Sequence, residues 1–167
     1  MKGITLEQLL QSRDVRHQKQ IELLKKYPND TLICLTVIMP GSIKRNSSSL
    51  FIANKAVQSL KEAFEDNIVY LLENDFETGY EAFLITTTDT ITAKKIVCEI
   101  EENHPLGRLF DIDVIDHNGV PIQREAVGRD KRKCLLCDNE ARYCMRNHTH
   151  TTEEIIAKIN QMIADYV

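Results

Sequence analysis

"NIVYLLENDFETGYEAFLITT", residues 67–87, decides the fold. Two apolar runs, "NIVYLLEND" and "YEAFLITT", flank a turn at Glu77-Thr78-Gly79 and read as an antiparallel hairpin. Upstream, from Ser48 onward, Ala53, Ala56, Val57, Leu60, Ala63 and Phe64 fall at helical spacing. Before that helix come "TLICLTVI" (31–38), a β-branched run that reads as a buried strand, and "MPGSIKRNSSS" (39–49), a loop. Downstream, Asp89 or Thr90 starts a helix whose Ala93, Ile96, Val97 and Ile100 share a face, and Pro105 marks its end. "RLFDIDVID" (108–116) is the next strand.

The central order is therefore β-α-β-β-α-β, the split βαβ or ferredoxin-like order. The expected fold is α+β, a single domain over 1–167, with a mixed, mainly antiparallel sheet and helices on one face. "HNG" (117–119) reads as a hairpin turn, and "VPIQREAV" (120–127) as an extra, returning strand. At the N-terminus, Thr5 and Gln8 fit a capping box before a short helix. Ser12 then caps a longer helix through "RDVRHQKQIELLKKY", which Pro28 ends. "TEEIIAKINQMIADY" forms a C-terminal helix.

The chain has 167 residues, 43% hydrophobic and 28% charged, ordinary for a soluble globular protein. No signal-peptide or membrane-spanning stretch is visible, so a cytoplasmic location without membrane association is expected. The five cysteines are then thiols or metal ligands rather than disulfides. A net charge of −4 argues against a generic nucleic-acid binder, although "REAVGRDKRK" (124–133) is locally basic.

Within "GRLFDIDVID" (107–116), Phe110, Ile112 and Val114 alternate with Asp111 and Asp113. If the apolar set faces the core, both aspartates share the other face, about 7 Å apart along the strand. Two like charges at that separation raise each other's pKa unless a cation lies between them. Mg²⁺ prefers carboxylate oxygens together with substrate phosphates, so the pair suits a metal-bridged polyphosphate. The same alternation also suits a solvated face of an edge strand. Gly107 would allow close approach of backbone to a ligand, and Arg108 beside it can grip phosphate.

"CLLCDNEARYCMRNHTH" (134–150) holds Cys134 and Cys137 at knuckle spacing, then Cys144, His148 and His150. Three thiolates and one imidazole would complete a tetrahedral zinc site from Cys134, Cys137, Cys144 and His150. A redox CxxC lacks its usual βαβ context here, and the thiols could also pack as small hydrophobes. Few apolar residues lie between Val127 and Ile155, so structural Zn²⁺ would hold this segment, outside the chemistry. "SRDVR" brings Arg13 and Arg16 to a helix start, and "PGSIK" puts Lys44 in a loop after a strand. His104, before Pro105, could act as a base or simply end a helix.

"HPLGRLFDIDVID", the basic stretch after it, "CLLC", Cys144 and His150 together resemble the apo-citrate lyase phosphoribosyl-dephospho-CoA transferase family (holo-citrate lyase synthase, CitX). "SRDVR" and "PGSIK" extend the resemblance over almost the whole chain. Phe110 stands where the family often carries tryptophan. The resemblance implies a nucleotidyltransferase-type reaction. The phosphoribosyl-dephospho-CoA group of 2′-(5″-triphosphoribosyl)-3′-dephospho-CoA would pass to a serine of the citrate lyase acyl carrier subunit, with release of pyrophosphate. Asp111 and Asp113 would hold Mg²⁺, and Arg13, Arg16, Lys44, Arg108 and Arg124 are candidates for the phosphates. Asp14 and His104 are the candidates for a base. The rival readings are a zinc-stabilised, non-catalytic module that binds a carrier protein, and the same transfer onto another carrier such as that of malonate decarboxylase.

Overall fold

The computed structural model describes residues 2–167. Helix α1 (Leu6–Lys26) begins at Thr5, whose hydroxyl accepts the Gln8 N–H while the Gln8 side chain accepts the Thr5 N–H. It is one continuous helix rather than a short one followed by a long one. No glycine or proline interrupts residues 6–26, and Ser12 is not a cap: its hydroxyl donates to the Leu9 carbonyl inside the helix (2.7 Å). Strand β1 (Thr31–Val37) leads to α2 (Ser47–Phe64), capped by a reciprocal Asn46–Ser49 pair. The hairpin follows as β2 (Ile68–Phe76) and β3 (Gly79–Thr86). Then come α3 (Thr90–Asn103), capped by Asp89, and β4 (Phe110–Ile115). Two helices close the chain, α4 (Ala141–Asn147) and α5 (Thr152–Tyr166).

The strands form one sheet in the order β2-β3-β1-β4, and every ladder is antiparallel. This is the arrangement that a split βαβ order produces. Alternation along the strands makes two faces. Ile33 and Leu35, Ala82 and Leu84, and Phe110, Ile112 and Val114 join residues of α2, α3 and α5 in the main core. Leu32, Cys34, Phe83, Ile85 and Ile115 face the other way, where Leu23 of α1 and the partly buried Leu24 and Tyr27 cover them. So α1 covers the second face, whereas the sequence reading expects helices on one face alone. No helix among the described residues is long and apolar enough to cross a membrane.

The extra strand expected at 120–127 does not form. A single bridge between Ile115 and Pro121, with bonds from the Ile122 N–H to the Val114 carbonyl (2.8 Å) and from the Asp116 N–H to the Val120 carbonyl (2.9 Å), continues the β4 edge. Residues Arg124–Val127 make a 3₁₀ turn instead. The physical reason lies on α3. The carboxylate of Glu101 accepts the Ile112 N–H (3.2 Å) and the Arg124 guanidinium (2.7 Å), so the edge position that a fifth strand needs is already taken.

Candidate active site

The α1-covered face of the sheet changes character along its length. At the β1 start, Leu32 and its cross-strand neighbours Ile115 and Ile85 are apolar and buried under Leu23. Further along, Asp113 lies opposite Cys34, and Asp111, Thr36, Glu81 and Asn74 form a polar row across all four strands. The Thr36 hydroxyl donates to Asp111 (3.4 Å). The Arg16 guanidinium and the Asn74 amide donate to buried Glu81 (3.0 and 3.3 Å). The two aspartates thus share one face, as their alternation requires. Asp111 is exposed and Asp113 half-buried. Burial, reinforced by the adjacent charge of Asp111, pushes the Asp113 carboxyl up to about 6. The charges of Lys94 and Arg16 pull the other way and offset only part of this.

Both aspartates line a cleft of about 800 Å³ along the open edge of β4. Lys44, Arg108 and Arg124, three of the cations expected at phosphates, line it too. The Lys44 ammonium donates to the Met39 carbonyl (2.6 Å), and burial followed by the charge of Arg13 lowers its pKa. Burial, then the charge of Arg132, brings Arg108 down to about 10, and its Nε donates to the Lys133 carbonyl (2.9 Å). Arg124 is held by Glu101, so its role at the cleft is shared with a structural one. Arg13 and Arg16 stand on α1, beside the cleft rather than in its lining, and Arg16 is committed to Glu81.

Gly107 and the two candidate bases have other surroundings. A Cβ on Gly107 would meet the Glu101 and Ile100 carbonyl oxygens at 2.4 and 2.6 Å, so the close approach it permits is to the end of α3 and not to a ligand. The Nδ1 of His104 accepts the Leu106 N–H (2.9 Å), and its ring packs on Phe110 and Tyr166 at centroid distances of 5.0 and 5.6 Å. Asp14 is exposed on α1. Neither His104 nor Asp14 is in the cleft lining.

Among the cleft residues that the sequence reading does not assign are Arg132 and Lys94. Arg132 spans the cleft floor, donating to the carbonyls of Phe110 (2.8 Å), Gly107 (3.0 Å) and Arg108 (3.0 Å). Lys94, on α3, is only 5% exposed and lines the same cleft. Its one available signal is a lysine next to the buried Ala93 on a helix.

The cysteine segment closes on itself. One ligand atom from each of Cys134, Cys137, Cys144 and His150 lies within 4.8 Å of the others, a group that could hold a metal. Cys137 Sγ is 3.4 Å from both Cys144 Sγ and His150 Nε2, while His150 Nδ1 faces Glu154 at 3.8 Å. Sulfurs around tetrahedral zinc stand about 3.8 Å apart for Zn–S bonds of about 2.3 Å. Burial raises the Cys134 thiol, but N–H groups of Leu136 and Cys137 and the neighbouring thiols outweigh it and bring it down to about 7. Cys34 and Cys98 are buried, unpaired thiols elsewhere in the fold. The sequence reading sets the cluster outside the chemistry, and the structure adds that Cys134, Cys144 and His150 line the same cleft as the aspartates.

Comparison with known proteins matches residues 4–166 to one family, apo-citrate lyase phosphoribosyl-dephospho-CoA transferase (CitX). A probable apo-citrate lyase phosphoribosyl-dephospho-CoA transferase of Vibrio cholerae is 38% identical over 98% of this chain and 94% of its own length. One of the same description from Streptococcus pyogenes is 33% identical, over 98% of this chain and 88% of its own. Protein CitXG of Haemophilus influenzae is 34% identical over 98% of this chain, which corresponds to 36% of that longer protein.

Proposed function

We propose that this chain, which belongs to the apo-citrate lyase phosphoribosyl-dephospho-CoA transferase family, transfers the phosphoribosyl-dephospho-CoA group to the acyl carrier subunit of citrate lyase. The donor is 2′-(5″-triphosphoribosyl)-3′-dephospho-CoA. The acceptor serine hydroxyl attacks the α-phosphorus, an O–P bond to serine forms, and the bond to the β-phosphate breaks as pyrophosphate leaves. The serine proton passes to solvent water, and no covalent intermediate on this chain is needed. In these terms the chain is a nucleotidyltransferase.

The observation that carries this reading is Asp111 and Asp113 side by side on a cleft lined by Lys44 and Arg108. The donor set is two carboxylates, one with its acidity depressed by burial and by the other, and it fits Mg²⁺, which takes one or two carboxylates and completes its shell with water and phosphate oxygens. The ion would neutralise triphosphate charge there. Lys44 and Arg108 orient the phosphates against the acceptor, and Thr36 steadies Asp111. Titrating donor and apo-carrier separately tests the arrangement. Arg108→Ala and Lys44→Ala should weaken donor binding and leave carrier binding unchanged, whereas carrier-selective losses would move these residues to the protein interface.

Zinc on Cys134, Cys137, Cys144 and His150 is the second part of the proposal, supported by the convergence of the four ligand atoms. It would fix residues 128–150 as one wall of the cleft and tie them to α5 through His150.

A further inference from the structure

Lys94 carries a charge into the protein without a partner. It is 5% exposed, on a helix whose Ala93 and Val97 are fully buried in the main core. Among the described residues its ammonium makes no ion pair and no hydrogen bond. No fully buried side-chain nitrogen or oxygen lacks a partner, so the Lys94 amine opens into the cleft that it lines. Two nearby carboxylates could have neutralised it. Glu101, two turns along the same helix, is already engaged by the Ile112 N–H, Arg124 and Arg132. Asp113 feels the Lys94 charge but does not pair with it. The stem is buried, while the ammonium at its end reaches the cleft and is bound to no protein acceptor. The same charge aimed into a cleft is stabilised once an anion enters.

The structure assigns Lys94 as a further catalytic residue: its ammonium contacts the phosphates of the donor that leave as diphosphate. The assignment rests on the transfer reading above. A compact ammonium on a flexible stem suits a phosphate group as a point charge. It stands on the α3 side of the cleft beside Asp113, so a metal-bridged polyphosphate on the aspartates would be neutralised from a second direction. As the serine oxygen bonds to the α-phosphorus, the electron pair of the breaking bond goes to the oxygen that bridged the α- and β-phosphates, which leaves as a terminal oxygen of diphosphate. Lys94 stabilises that developing charge and transfers no proton.

The probe is inorganic diphosphate with Mg²⁺, titrated calorimetrically into the wild-type chain, Lys94→Met and Lys94→Arg. Lys94→Met should bind diphosphate roughly 10- to 100-fold more weakly. Its thermal midpoint should be little changed, because an apolar chain of similar length keeps the packing of the buried stem and only the cleft-facing ammonium is lost. Lys94→Arg should recover part of the affinity. In the wild-type chain, acetylation of Lys94 mapped by mass spectrometry should be suppressed by magnesium diphosphate, a readout that needs no variant to fold. Diphosphate affinity unchanged in folded Lys94→Met, or Lys94 labelling unaffected by diphosphate, would overturn the assignment. Diphosphate binding that depends on Lys94 in a chain that modifies no apo-carrier would uphold the anion contact and overturn the transfer reading instead.

Discussion

Glu101 of α3 accepts the backbone N–H of Ile112 on the open edge of β4, at 3.2 Å, and so ties the middle of the aspartate-bearing strand to a helix. The same carboxylate holds Arg124 at 2.7 Å and Arg132 at 3.5 Å. Ile112 lies between Asp111 and Asp113, so this bond sets where both aspartates stand. Removing Glu101 leaves the strand N–H without its acceptor and the Arg124 guanidinium without its nearest one, while Arg132 loses its charge partner and keeps its three backbone carbonyls. Glu101→Ala should lose about 3–5 kcal/mol of stability in urea unfolding. Glu101→Gln keeps one acceptor oxygen and should lose less. A loss below about 1 kcal/mol for the alanine variant would mean that solvent already screens the cluster.

Asp111→Asn and Asp113→Asn should each keep the fold and lower the transfer rate at least about 100-fold, the scale of a lost contact to developing charge. Circular dichroism and a single-turnover assay check the two halves separately. Losses of only a few-fold would remove the metal role.

Much of this was legible because it is written locally. Cross-strand alternation brings Asp111 and Asp113 to one face, and the spacing of Cys134, Cys137, Cys144 and His150 anticipates their convergence. The hairpin and its flanking helices lead to the observed strand order. What stayed hidden depends on distant partners. Arg16 reads as a free cation until Glu81, 65 residues away, is found to hold it. Lys94 and Glu101 draw no notice beside the apolar face of their helix, because nothing local shows that β4 and the segment around Arg124 and Arg132 pack against them. Gly107 reads the same whether a ligand or the end of α3 approaches it.

Protein purified without a histidine tag should contain about one zinc per chain. Cys137→Ser should lower the thermal midpoint and the activity together, since Cys137 Sγ is 3.4 Å from both Cys144 Sγ and His150 Nε2. Fully folded, active, metal-free protein would leave these thiols as packing residues.

Acid should weaken the fold partly through His104. Burial, then the charge of Lys55, lowers its pKa below 6.5, and its Nδ1 must stay unprotonated to accept the Leu106 N–H. The unfolded chain therefore takes up this proton first as pH falls through about 6.5, and stability present above that pH is lost below it. His104→Asn keeps an acceptor and removes the titration. Urea unfolding at about pH 7.5 and about pH 5.5 should show a smaller acid loss in the variant than in the wild-type chain. Equal losses would place the acid sensitivity elsewhere.

The most direct measurement is the intact mass of the apo-acyl carrier subunit of citrate lyase after incubation with this chain, triphosphoribosyl-dephospho-CoA and Mg²⁺. The expected result is a carrier heavier by one phosphoribosyl-dephospho-CoA group on a serine, one diphosphate released per carrier, and no gain with Asp111→Asn. A carrier of unchanged mass, with the chain folded and the donor bound, would contradict the account.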